Sequence, residues 1–135
     1  MTIHKLAVYG TLRNGCGNWA YFLRGTSILV EEGDTLTGYT MHTWGGVPVI
    51  RHTGVTTDII KVDVFDDVQL EDQIDRLELG AGYSIGYDVT EAGHEVKLYT
   101  YQYQRGGRDE HIVSGDWKKY LEERYPERAL FGEEQ

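Results

Sequence analysis

Glu78 stands where the local rules disfavour a carboxylate. Leu70, Ile74 and Leu77 fall at i, i+4 and i+7, an apolar stripe that predicts a helix over residues 68–79. Glu78 lies about 40° from Ile74 on the wheel of that helix, at the edge of the core-facing stripe. It also occupies the last turn, where the helix dipole is negative. Partial burial and the dipole both disfavour the charged form and raise its pKa. Such a carboxyl suits general acid/base work near neutral pH. The plainer reading, a solvated glutamate on a fraying helix end, remains open at this level.

A second candidate is the strand exit Tyr9-Gly10-Thr11-Leu12-Arg13. A strand that ends in Gly and Thr presents successive backbone N–H groups, and a concave set of these holds a carboxylate without a basic side chain. The alternative is an ordinary strand-to-loop turn. Other motifs fail. Gly10 and Gly15 have the spacing of a phosphate loop, but Cys16 and Gly17 stand where Lys-Ser/Thr would be needed, which excludes a P-loop. His4, His42, His52, His94 and His111 lack any H-x-x-x-H or H-E-x-x-H spacing, so no metal site is expected. Cys16, between glycines, is read as an inert thiol rather than a nucleophile.

These residues need elements to position them. Residues 3–9 read as a short buried strand stopping at Gly10. Asn18 is a candidate N-cap for a helix over 19–24, closed by Gly25. Strands are predicted over 26–30, 35–44, 47–52 and 58–65, separated by Glu32-Gly33-Asp34, Gly45-Gly46 and Thr53-Gly54. Gly80 is placed as the left-handed residue after the 68–79 helix. Two further strands, 85–90 and 95–104, flank the turn Ala92-Gly93-His94, and Gly106-Gly107 breaks the second. Asp116 is a candidate N-cap for a last helix through Arg124, and the tail 126–135 is expected to fray. Spacing of about ten residues favours consecutive antiparallel strands over βαβ units. The predicted fold is α+β: a small, mostly antiparallel β-barrel or curled sheet flanked by short helices.

The 135 residues fit one domain, with enough chain to bury a core unaided. Thirteen basic against 22 acidic residues leave a formal charge of −9, which argues against a nucleic-acid binder. Tyr99, Tyr101 and Tyr103 alternate on one strand and resemble a stacking platform, but period two fits one face packed on a helix better. No run approaches the ~20 apolar residues of a membrane helix, and Leu6-Ala7-Val8 is too short for a signal-peptide core. A single cysteine excludes an intramolecular disulfide framework and fits a reducing, cytoplasmic setting. Seventeen glycines and ten tyrosines add turns and strand propensity.

Both candidate sites occur together in one family. The stretch from Tyr9 to Gly15, followed by Asn18 and Leu23, is similar to the signature Y-G-T-L-[KR]-x-G-x-x-N-x-x-x-x-L of the γ-glutamylcyclotransferase-like superfamily, in particular its γ-glutamylamine cyclotransferase branch. Ile74-Asp75-Arg76-Leu77-Glu78 resembles that family's L-D-x-x-E segment, whose glutamate is the acid/base. Gly38-Tyr39, Gly46, Pro48 and Ser114-Gly115-Asp116-Trp117 also match, so the resemblance spans nearly the whole chain. This sequence departs from the pattern by placing Leu79 before Gly80, and by carrying Ile60-Lys61-Val62-Asp63 where Gly-Glu is usual. Tyr83 and Tyr87 both compete for the site tyrosine, with Ile85 and Val89 where an arginine is common.

The resemblance implies catalysis by Glu78 and substrate binding by Tyr9, Gly10, Thr11, Leu12 and either Tyr83 or Tyr87. It implies a small-molecule γ-glutamyl substrate, no cofactor, no metal, no nucleic-acid or membrane partner, and a monomer or weak homodimer. In the reaction it implies, the substrate's own α-amine attacks its γ-carbonyl to release 5-oxoproline. The competing reading is a non-catalytic domain on the same fold that binds a small carboxylate or a protein partner. For the substrate, the −9 charge and the Y-G-T-L signature favour an amine or polyamine leaving group over glutathione, which carries a further carboxylate. Arg13, Arg105 and Arg108 are the side chains that would reverse that preference if they lined the mouth.

Overall fold

The computed structural model describes residues 4–44, 46–54, 57–101 and 110–124. Its centre is β1, Lys5–Val8. This strand pairs antiparallel with β5, Ile60–Asp66, and parallel with β7, Glu95–Thr100. Outside these lie β2, Ile28–Leu36, and β6, Ser84–Val89, giving the order β2-β5-β1-β7-β6. The hairpin of β3, Tyr39–Trp44, and β4, Val47–His52, forms a separate two-stranded sheet. The main sheet is curled and does not close into a barrel. Its pairings are antiparallel except that between β1 and β7.

Period two along β1 builds two cores. Ala7 and Tyr9 face one side, where they meet Met41 and Ile50 of the hairpin, Val64, Leu98 and Trp117. Leu6 and Val8 face the other, against Leu23, Phe65, Ile74 and Tyr99. Burial on both faces explains why this strand is continuously apolar in sequence. The hairpin is sewn on by Tyr101 N–H donating to the Ile50 carbonyl at 2.9 Å and Ile112 N–H to Met41 at 2.9 Å. Three helices complete the chain: α1 Gly17–Phe22, α2 Glu71–Gly80 and α3 Trp117–Arg124. No helix among the described residues is long and apolar enough to cross a membrane.

Several boundaries differ from expectation, each for a local reason. The Glu32-Gly33-Asp34 break is no turn: β2 runs through it with register shifts. Gly33 takes φ +76 and its N–H donates to Asp63 Oδ1 at 2.9 Å, so the glycine makes a bulge. The predicted 35–44 strand divides at Gly38, φ +94, whose carbonyl accepts from Thr53 and Gly54. Asn18 lies inside α1 rather than capping it. The helix 68–79 starts later and includes Gly80, and the left-handed glycine is Gly82 at φ +100. Leu77, placed by periodicity in the core, is 42% exposed. Asp116 does cap α3, its Oδ1 accepting from Lys119 N–H at 3.2 Å. The end of the 95–104 strand, Gly106-Gly107, Tyr103, Arg105, Arg108 and the tail 126–135 lie outside the described residues.

Candidate active site

The exit of β1 is held as a tight turn. Arg13 N–H donates to the Gly10 carbonyl at 3.0 Å, and Trp19 N–H to the Thr11 carbonyl at 3.1 Å. Asn18 is drawn away from helix capping because its Nδ2 donates to Thr11 Oγ1 at 2.6 Å. Among the described residues no acceptor takes the N–H of Thr11 or Leu12. Gly10 is required sterically: a Cβ there would lie 2.9 Å from Pro48 Cγ.

Behind this turn sits a buried ionic anchor that sequence reasoning missed. The Asp63 carboxylate is fully buried and accepts from Asn14 N–H at 2.8 Å, Gly33 N–H at 2.9 Å and Arg13 Nη2 at 3.3 Å. Arg13 Nη1 donates to Asp116 Oδ1 at 2.9 Å. Arg13 is therefore committed to this anchor and buried. The only sequence signal was Asp63 itself, a charge inside an apolar strand.

Glu78 faces the same turn from the end of α2. A cavity of about 190 Å³ is lined by Tyr9, Gly10, Thr11 and Leu12 on one side and Glu78 and Tyr83 on the other. Its volume is below the roughly 300–1,000 Å³ of drug-sized sites, a scale suited to a small molecule. Burial pushes the Glu78 carboxyl up from 4.5 to about 7. Desolvation of the charged form is the cause. Tyr83 N–H donates to the Glu78 carbonyl at 3.0 Å, fixing the helix exit.

Three phenols make the wall. Tyr9 Oη donates to the Tyr99 carbonyl at 2.7 Å, Tyr83 Oη to the Pro48 carbonyl at 2.7 Å, and Tyr99 Oη to Asp75 Oδ1 at 2.6 Å. Burial raises all three hydroxyls above the ordinary phenol value, and the charge of Glu78 adds to the rise for each. They are neutral donors at physiological pH. Asp75 is itself gripped by buried Lys97, at 2.7 Å, which also reaches Glu71 at 2.7 Å. This clamp joins α2 to β7 one turn before Glu78. Tyr99 packs against that helix, as its alternation suggested.

Of the residues named from sequence, Tyr9, Gly10, Thr11, Leu12, Glu78 and Tyr83 share the cavity. Tyr87 does not. It is 64% exposed on β6 and packs edge-on against His4, with ring centroids 5.3 Å apart. Strand alternation does not separate the two, which are four residues apart; Tyr83 precedes β6, in the turn out of α2, whereas Tyr87 lies within the strand. Pro48 and Tyr99 also line the cavity; Pro48 was visible as a matching residue without a role. Cys16 lies outside it, with its thiol pushed up by burial. Among the described residues no cluster of His, Cys, Asp or Glu is arranged to hold a metal.

The fold recurs in solved structures. An uncharacterised protein of Pyrococcus horikoshii is 27% identical, with a TM-score of 0.72 over 91% of this chain and 97% of that one. A uropathogenic E. coli-specific protein is 24% identical, with a TM-score of 0.71 over 90% and 97%. An AIG2-like protein of Mus musculus is 18% identical, with a TM-score of 0.60 over 80% and 82%. The last two likenesses concern the fold alone. No curated protein matches the chain. A family model described as gamma-glutamyl cyclotransferase, AIG2-like, matches residues 6–119, from β1 into α3 and across both halves of the cavity, and the chain belongs to that family.

Proposed function

We propose that the protein is a cyclotransferase that converts a γ-glutamyl amide, preferentially a γ-glutamylamine, into 5-oxoproline and a free amine. The observation that carries this reading is Glu78. Its carboxyl titrates near 7 in a cavity opposite a turn with available backbone N–H groups. The N–H groups of Thr11 and Leu12 bind the substrate's α-carboxylate, and Tyr9 and Tyr83 wall the folded glutamyl chain. The α-amine arrives as an ammonium and loses a proton to ionised Glu78. Its nitrogen then forms a bond to the γ-carbonyl carbon, closing a five-membered ring. As the tetrahedral intermediate collapses, the old C–N bond breaks and Glu78 returns the first proton to the departing amine. The ring nitrogen gives up its second proton through Glu78, so that the amine leaves as an ammonium and the ring as a neutral lactam. Attack within one molecule needs orientation more than activation, and the proton transfers are general acid/base steps. Substrate and Glu78 supply every proton and bond, so the scheme calls for no cofactor.

The leaving-group preference rests on charge. The described lining contains no lysine or arginine, Arg13 is committed to Asp63 and Asp116, and the chain carries −9. A second carboxylate on the leaving group, as in glutathione, finds no counter-charge there.

Mass-spectrometric detection of 5-oxoproline from γ-glutamylamines tests the reaction. Glu78→Gln keeps the volume but cannot carry the proton, and turnover is expected to fall by a factor on the order of 10²–10⁴. Wild-type turnover in that variant would remove Glu78 from the chemistry. Binding of 5-oxoproline without any turnover by the wild type would favour the non-catalytic carboxylate-binding reading. Equal or better turnover of glutathione would overturn the amine preference alone.

A further inference from the structure

The mouth of the cavity differs in chemistry from its floor. Val47, at the start of β4, and Leu77, on α2, both line the cavity, and each stays 42% exposed. A residue that lines a cavity and still meets solvent to that extent stands at the opening. These two come from different elements, the β3–β4 hairpin and α2, and are joined in the lining by Pro48 and exposed Ala81. The polar groups Glu78, Tyr9 and Tyr83 are less exposed and sit deeper. The helical pattern places Leu77 in the core, yet it is held at the opening.

We propose that Val47 and Leu77 form the leaving-amine subsite, and that they select γ-glutamyl amides whose amine bears an uncharged hydrocarbon chain. The proposal rests on the cyclotransferase reading and narrows its substrate class. With the glutamyl group anchored at the β1 turn and its amide bond at Glu78, the departing amine is the part of the substrate left to reach the opening. An alkyl chain there covers two half-exposed apolar side chains. A terminal carboxylate of similar length would be brought against apolar surface with no basic side chain in the described lining. A terminal ammonium would lose its hydration there while Glu78, deeper in the cavity, is engaged with the reacting amine. Each methylene fully buried against the subsite is worth roughly fourfold in kcat/KM. Three methylenes about half-covered give roughly tenfold.

The test compares γ-glutamyl amides of methylamine, n-butylamine, putrescine and glycine, reading 5-oxoproline release and, by calorimetry, binding to Glu78→Gln. The butyl amide should exceed the methyl amide roughly tenfold in kcat/KM, and exceed both charged amides. In Val47→Thr/Leu77→Gln the butyl-to-methyl ratio should fall to about two. A wild-type ratio near one, a ratio unchanged in the double variant, or preference for either charged amide would each overturn the subsite. If no amide yields 5-oxoproline, the cyclotransferase reading fails; binding then decides the subsite, standing if butyl binds more tightly than methyl and falling if they bind equally.

Discussion

Burial of Glu78 should make the stability gain of Glu78→Gln depend on pH in a specific direction. The carboxyl titrates near 4.5 when solvated and near 7 in the folded chain. A raised folded pKa means that its contribution to stability is fully present below the unfolded value and is lost as pH rises through the folded value. Over that interval the folded wild type must either keep a proton that the unfolded chain releases or bury a charge. At 1.36 kcal/mol per pH unit the loss approaches about 3 kcal/mol, and residual solvent contact of this half-buried side chain trims it to about 2–3 kcal/mol. Glutamine has no such titration. Any cost of burying its amide is constant with pH, so the slope isolates Glu78. Urea or thermal unfolding of both proteins from about pH 4 to about pH 8 reads the difference directly. The variant should gain relative to wild type between those limits and level off above about pH 7. For a domain of this size, the full gain corresponds to roughly 7–10 °C in Tm. Acid loss of the other ion pairs is common to both proteins and cancels. A stability difference that stays flat across the range would refute the claim that burial holds this carboxyl protonated.

Two other outcomes follow from the same site. Because Glu78 must be ionised to accept the ammonium proton, kcat/KM for a γ-glutamylamine should rise with pH up to about 7 and then level until the substrate amine titrates; a steady-state pH profile without a rise in that interval would contradict the base assignment. Gly10→Val should abolish most of the thermal stabilisation by 5-oxoproline, because its Cβ would sit 2.9 Å from Pro48 Cγ in the cavity wall, whereas an intact site gains about 2.7 kcal/mol at a hundredfold excess over Kd. The overpacking itself should cost about 1–3 kcal/mol, and an undiminished ligand shift in the folded variant would take the turn out of the site.

What the sequence made legible follows the range of the physics behind each reading. Residues 3–9 and the Glu78 helix were visible because a buried strand and an amphipathic stripe are short-range patterns, set by periods of two and 3.6. The glycines were visible as punctuation but not as geometry. Gly33 and Gly80 looked like stops, yet Gly33 bends a continuing strand because buried Asp63, thirty residues away, takes its N–H. Gly80 stays helical because the left-handed turn falls on Gly82, packed under Tyr101. The choice between Tyr83 and Tyr87 has the same origin. Both precede or lie in the same strand, and only the packing of Tyr83 against Pro48 and Tyr101 decides which phenol reaches the cavity. Likewise Arg13, a candidate for the mouth when read as a free charge, is buried because two carboxylates 50 and 103 residues away converge on it. Local pattern therefore located the acid and the turn, whereas their separation, the neutral phenols between them and the apolar opening depend on long-range pairing. In the proposed reading, the selectivity of the site resides in that second group. A variant that leaves the β1 turn and Glu78 untouched but alters Val47 or Leu77 should change which amine departs before it changes whether one does.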